Sequence, residues 1–154
     1  EIKICQKEGS WMTKEIKMLQ SIHKNADMGM DALAHILDLT EDAGLIRAVK
    51  CQMVQYQEAW KKSAQMLKIR DGGEAKDAPA MTKMMANVMS DLKNMMDPST
   101  SKLAEIILKG NQMGVTELTK EVHAYDGEDT EVLEFAKKQL RQEENNVEEM
   151  KKFL

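Results

Sequence analysis

Apolar residues return at three- and four-residue steps through almost the whole chain, and that spacing confines it to helices with one buried face each. Leu19, Ile22, Ala26, Met30, Leu33 and Leu37 share one face of a first helix, expected from about Thr13 to Asp38. Thr40 or Asp42 caps a second helix lasting to about Ile69. Its inner face reads Leu45, Val49, Gln52, Tyr56, Ala59, Ser63, Met66. Asp71-Gly72-Gly73 breaks it. After Pro79 a shorter helix carries a methionine stripe: Met81, Met84, Met85, Val88, Met89, Leu92, Met95 and Met96. Asp97-Pro98-Ser99-Thr100 ends that helix and offers caps for a fourth, from about Ser101 to His123. Tyr125 to Asp129 form a loop, and Asp129 caps a fifth helix that reaches the end of the chain. With 4% aromatics and two prolines, the composition speaks against a β-sandwich. With 42% hydrophobic residues over 154 positions there is enough apolar matter for one folded domain.

The long helices repeat. The shift that carries Gly29 onto Gly114 also carries Ile22 onto Ile107, Lys24 onto Lys109, Met28 onto Met113, Leu33 onto Leu118 and Leu37 onto Val122. A slightly longer shift carries Asp42 onto Asp129, Lys50 onto Lys137, Gln52 onto Gln139, Gln55 onto Gln142 and Leu67 onto Leu154. The difference fits a longer second loop. Two equivalent hairpins, residues 13–69 and 101–154, are thus joined by a crossover at 70–100 that holds the Met-rich helix. Gly29 and Gly114 sit mid-helix, where glycine costs about 1 kcal/mol relative to alanine. Close helix–helix approach at matching places in the two halves is the expected return.

With this connectivity the chain resembles the ferritin-like superfamily, of the rubrerythrin and bacterioferritin type, over roughly Thr13 to Leu154. The resemblance implies an all-α fold: a four-helix bundle from a duplicated hairpin, with an additional helix in the long crossover. Metal-binding members of that family carry Glu-x-x-His on the second and fourth bundle helices and a further Glu on each of the others. Here the corresponding segments read Gln52-Met53-Val54-Gln55 and Gln139-Leu140-Arg141-Gln142. Upstream, Leu19–Ile22 and Ala104–Ile107 are mainly apolar, with Glu15 and Glu105 the nearest acids. An amide lacks both the carboxylate charge and the imidazole nitrogen that hold such metals. No metal or other cofactor is therefore expected, and the family's ligand roles carry over to no residue.

Four residues on the expected core faces are polar: Gln52, Tyr56, Gln139 and Glu143. Buried polar groups must pair, so these four are expected to bond across the bundle. Two readings stay open, a device that fixes helix register and an altered metal or small-molecule pocket. Asp27, Asp31 and His35 step by four along one helix, a spacing open to a divalent metal, but opposite the apolar stripe, as a solvated face would be. His23 and His123 have no evident partner and read as surface or boundary residues, and Cys51 reads as a small core residue. The stripe of Met81, Met84, Met85, Met89, Met95 and Met96 is a candidate partner-facing surface. Thioethers also suit Cu(I), and the plain alternative is packing on the bundle.

No Gly-rich phosphate loop and no Ser–His–Asp or Cys–His signature is present in the sequence. The net charge is −4, its acidic surplus mostly after Asn111, and no basic patch with interleaved aromatics speaks for nucleic acid. No apolar run reaches membrane-spanning length, so no membrane insertion is expected. Cys5 and Cys51 lack metal-site spacing and read as reduced thiols of a bacterial cytoplasmic protein. Lys7-Glu8-Gly9 is encodable by a bacterial ribosome-binding sequence and stands just before Met12, so residues 1–12 read as an arm or a translated leader. The sequence thus leads to a non-enzymatic structural or interaction bundle, expected as a homodimer. The alternative is a metal- or small-ligand-binding protein with a rearranged core site.

Overall fold

The computed structural model describes residues 13–78, 83–96 and 98–154. Among them there are five helices and no strand: α1 (Lys14–Leu37), α2 (Ala43–Ile69), α3 (Lys83–Lys93), α4 (Thr100–Ala124) and α5 (Thr130–Lys151). Residues 1–12, with the arm or leader and Cys5, lie outside the described residues.

Local chemistry sets the helix starts. Thr13, Asp42, Ser99 and Asp129 each turn a side-chain oxygen onto a backbone N–H in the first turn of α1, α2, α4 and α5. Of the two expected caps for α2, Asp42 does the work: its carboxylate accepts from Leu45 N at 2.7 Å. Thr40 instead accepts from Asp42 N. At the other end of α2, Asp71 has φ 52°, and Gly72 N donates back to Leu67 O at 2.8 Å. A Cβ at Gly72 would lie 2.8 Å from Leu67 Cδ2 and 3.2 Å from Leu67 O, so a side chain there would press on the end of α2.

Packing follows the apolar stripes. α1 lies chiefly on α2 and α4 chiefly on α5; α1 also meets α4, α5 and α3, and α2 meets α5. Two apolar cores result. One gathers Leu19, Ile22, Ala59, Met66, Leu118, Val132 and Ala136, the other Leu33, Ile36, Leu45, Val49, Leu103, Ile107 and Met150. Each fully buried leucine among them contributes about 1.5–3 kcal/mol. Val88, Met89, Leu92 and Met95 hold the crossover helix and its end against the second core.

Polar links tie the ends together. Arg70, just past α2, donates to both oxygens of Asp129 and to Glu131 at the start of α5. Asp129 therefore caps α5 and binds Arg70 at once, and the guanidinium holds its carboxyl below the usual range. Tyr125 donates to Glu15 and accepts from Asp129 N, stapling the α4–α5 loop to α1. Burial, then the Glu15 carboxylate, pushes its hydroxyl up to about 12.

Candidate functional site

Where the two cores meet, the interior turns polar, and Tyr56 packs against both. Gln52 and Tyr56 come from consecutive turns of the buried face of α2, Asn111 from α4 and Glu143 from α5. Gln52 and Asn111 are each 2% exposed and Glu143 4%, so bulk water hydrates none of them. Gln52 and Asn111 exchange amide hydrogen bonds at 3.0 and 3.3 Å. Tyr56 donates from its hydroxyl to Glu143 Oε1 at 2.7 Å. Asn111 Nδ2 also lies 3.1 Å from Glu143 Oε2 and 3.2 Å from the Tyr56 hydroxyl.

Glu143 is the only buried carboxylate among the described residues. Burial pushes its carboxyl up to about 7, against the pull of the Tyr56 and Asn111 hydrogen bonds. Burial and the adjoining Glu143 charge push the Tyr56 hydroxyl well above its ordinary value.

Two glycines make room for this group. A Cβ at Gly29 would lie 2.7 Å from the Tyr56 ring, and one at Gly114 2.9 Å from Glu143 Cδ. Beside them, between α1 and α4, opens a pocket of about 70 Å³. Its walls include Met28, Ala32, Leu33, Val88, Ile106 and Ile107, and its floor is Gln52, Tyr56, Asn111 and Glu143. Gly110 stands at this pocket with open space where a side chain would begin.

Of the four expected polar residues, then, Gln52, Tyr56 and Glu143 meet. Gln139 does not bond to them. It is half-buried, lining a small gap with Ala26, Tyr56 and Glu143 and a polar groove between α2 and α5. Asn111 takes the bridging place that Gln139 was expected to fill. Its position on the α4 stripe, between Ile107 and Leu118, was the available signal.

His23 is corrected from a surface or boundary residue to a buried one, 1% exposed. Its Nδ1 lies 2.9 Å from both Trp60 O and Ser63 Oγ, and its Nε2 2.9 Å from Asp77 Oδ1. Its ring stacks on Trp60, whose Nε1 donates to the same Asp77 oxygen. The sequence, which showed no such signature, hid a Ser–His–Asp chain here. Ser63 is fully buried and donates to Trp60 O, so no substrate reaches it and it is not a nucleophile. The cluster instead straps the crossover to α1: Gln20 bonds Glu74 O and Lys76 N, and Asp27 accepts from Ala78 N.

Cys51 is also corrected: it is exposed rather than in the core, because it lies off the Val49–Gln52–Tyr56 face of α2. Asp31 and His35 are exposed, and Asp27 is half-buried under the strap. Its carboxyl is raised by burial and by neighbouring Asp77. Among the described residues no group of three or more His, Cys, Asp or Glu is placed to hold a metal ion. His123 is exposed. Of the methionine stripe, Met89 and Met95 are half-buried against the second core, while Met96 is fully exposed. Met81 and the side chains of Met84 and Met85 lie outside the described residues. Among those residues no helix is long and apolar enough to cross a membrane.

No protein-family model, curated protein or solved structure matches this chain.

Proposed function

We propose that the chain is a non-enzymatic, ferritin-like helical bundle that binds a small ligand in its core. The observation that carries this reading is the pocket between α1 and α4, mostly apolar in its walls and floored by the one carboxylate side chain buried among the described residues. A concave apolar site with a few convergent polar groups and a perturbed acid is the usual form of a ligand pocket.

Support for a duplicated hairpin comes from the glycines. Gly29 accommodates Tyr56 in the first hairpin, and Gly114 accommodates Glu143 in the second. These are the residue pairs that the sequence shifts bring into correspondence.

The di-metal centre that the ferritin-like resemblance implies does not fit this donor set. One carboxylate, one phenol, two amides and no imidazole supply too little charge and too few strong donors for two metal ions. The site is read accordingly as one for an organic molecule.

An interaction role, with a second copy or another protein, was the leading expectation from sequence. Of the exposed apolar residues, Val54 and Ile69 lie fifteen positions apart on α2, Met96 follows α3 and Met113 is on α4, and scattered apolar residues are ordinary on a protein surface. The pocket is the more specific feature.

The test is an NMR titration with 1-butanol as a neutral probe, following the methyl groups of Met28, Val88 and Ile106. Saturable shifts at those methyls are expected, and they should disappear in Gly110→Leu, whose side chain grows into the pocket opening. Shifts spread evenly over the surface, or unchanged by Gly110→Leu in a folded protein, would overturn the reading.

A further inference from the structure

At the pocket floor one amide nitrogen is shared among several acceptors. Asn111 Nδ2 has two hydrogens but three acceptors around it: Gln52 Oε1, the Tyr56 hydroxyl and Glu143 Oε2, all within 3.0–3.2 Å. The single Tyr56 hydrogen goes to Glu143 Oε1. Each carboxylate oxygen thus receives at most one hydrogen bond although it offers two lone pairs.

Charge is unbalanced in the same place. Every donor that reaches Glu143 is neutral, and among the described residues no ion pair includes it. A buried carboxylate without a cation is an expensive arrangement, relieved by a proton or, where the group is ionised, by a cation that arrives with N–H donors. Apart from Asn25, the rest of the pocket lining is hydrocarbon in character, with Ala32, Leu33, Val88 and Ile107 among its residues. A compact head with positive charge and several N–H groups, carried on a short apolar tail, complements both parts.

We propose that the core pocket is a site for a small alkylammonium ion, whose charged head lies on Glu143 and whose tail lies along the apolar walls between α1 and α4. This rests on the ligand-binding reading above and narrows it to one chemical class. Glu143 and Tyr56 supply oxygen acceptors to the head, and Gln52 and Asn111 fix the orientation of that floor. Gly110 leaves the approach open. A neutral alcohol of the same length fills the walls equally well but brings a single hydrogen and no charge.

The experiment compares n-butylamine with 1-butanol by NMR titration of the full chain at about pH 8.5, where the amine is protonated and carboxylates are ionised. Butylamine is expected to bind at least about tenfold more tightly than butanol, since a charge-assisted hydrogen bond exceeds a neutral one. In Glu143→Gln the preference should fall to about one while butanol binding is retained. If butanol binds the wild type as well as butylamine does, or better, the amine assignment is overturned and the ligand-binding reading stands. A Glu143→Gln protein that keeps the preference also overturns the assignment. If neither probe binds, both readings fall. The wild-type ratio decides the matter even if the variant does not fold.

Discussion

Glu143 makes stability depend on pH in a direction opposite to most carboxylates. Its carboxyl rises from an ordinary 4.5 to about 7 in the folded chain, chiefly through burial. The titratable group facing it is Tyr56 of α2; α4 presents Asn111 and Gly114, and α1 presents Asn25 and Gly29. Below the unfolded value both states hold the proton, and the protonated acid contributes its full stabilisation. Between about 4.5 and about 7 the folded state keeps a proton that the unfolded chain releases, so stability falls as pH rises. Above about 7 the loss is complete. The slope is about 1.4 kcal/mol per pH unit, which over this window accumulates to about 3 kcal/mol. With the side chain 4% exposed, solvent screening does little to reduce it. The assay is urea unfolding across pH for the wild type and for Glu143→Gln, which keeps the shape without the titration. Other groups contribute to each curve: Asp27 and Glu121 are also raised, whereas Glu15, Asp126 and Asp129 are lowered. They lie outside the cluster and cancel in the difference between the two proteins. That difference should move by about 3 kcal/mol against the wild type between about pH 5 and pH 8. A flat difference, or one that moves toward the wild type, refutes the reasoning.

Three glycines should separate into two classes. Gly29→Ala and Gly114→Ala each drive a Cβ to within 3 Å of a packed, hydrogen-bonded neighbour, and each should lose about 1–3 kcal/mol. Gly110→Ala meets nothing within 4 Å and should gain about 1 kcal/mol from helix propensity; thermal melts that fail to give this ranking would count against the described packing. Asp77→Ala removes the acceptor shared by His23 and Trp60, so hydrogen exchange at the Lys76 and Ala78 amides should accelerate severalfold. Unchanged protection there would mean that Gln20 and Asp27 hold the strap without it.

How far the sequence could be read depended on how local each interaction is. The caps at Thr13, Asp42 and Asp129 act across three residues, and the helix starts they mark were legible. The buried face of α2 was legible too, because period alone sets which side chains share it. His23 was misread because its partners Trp60, Ser63 and Asp77 come from another helix and from the crossover. Cys51 was misread although period was available: it precedes Gln52, and one residue turns a side chain about 100° around the helix. Gln139 shows the limit of the repeat. Gln52 finds Asn111 on α4, but the shift that carries Gly29 onto Gly114 carries Ala26 onto Asn111. Ala26 lines the gap beside Gln139 and has no amide to offer it.

The two readings of the polar core part at Glu143. A register device needs a pairing that forms in one alignment only, and Gln52 with Asn111 already meets that need through two reciprocal amide hydrogen bonds. Neither group carries charge. Glu143 ties α5 to that pair through Tyr56 and Asn111, which a neutral glutamine could also do. Glu143 introduces a buried acid that is destabilising when ionised, and it requires a glycine at 114 to fit. Leucine or methionine in its place would relieve the charge, and such replacements of buried ionic groups are often neutral or stabilising. The pocket of about 70 Å³ opens onto this acid as well as onto the amide pair, and the proposed ligand would give the carboxylate a use. On the ligand-binding reading proposed above, the acid that weakens the fold and faces a cavity serves binding, and the amide pair beside it serves the fold.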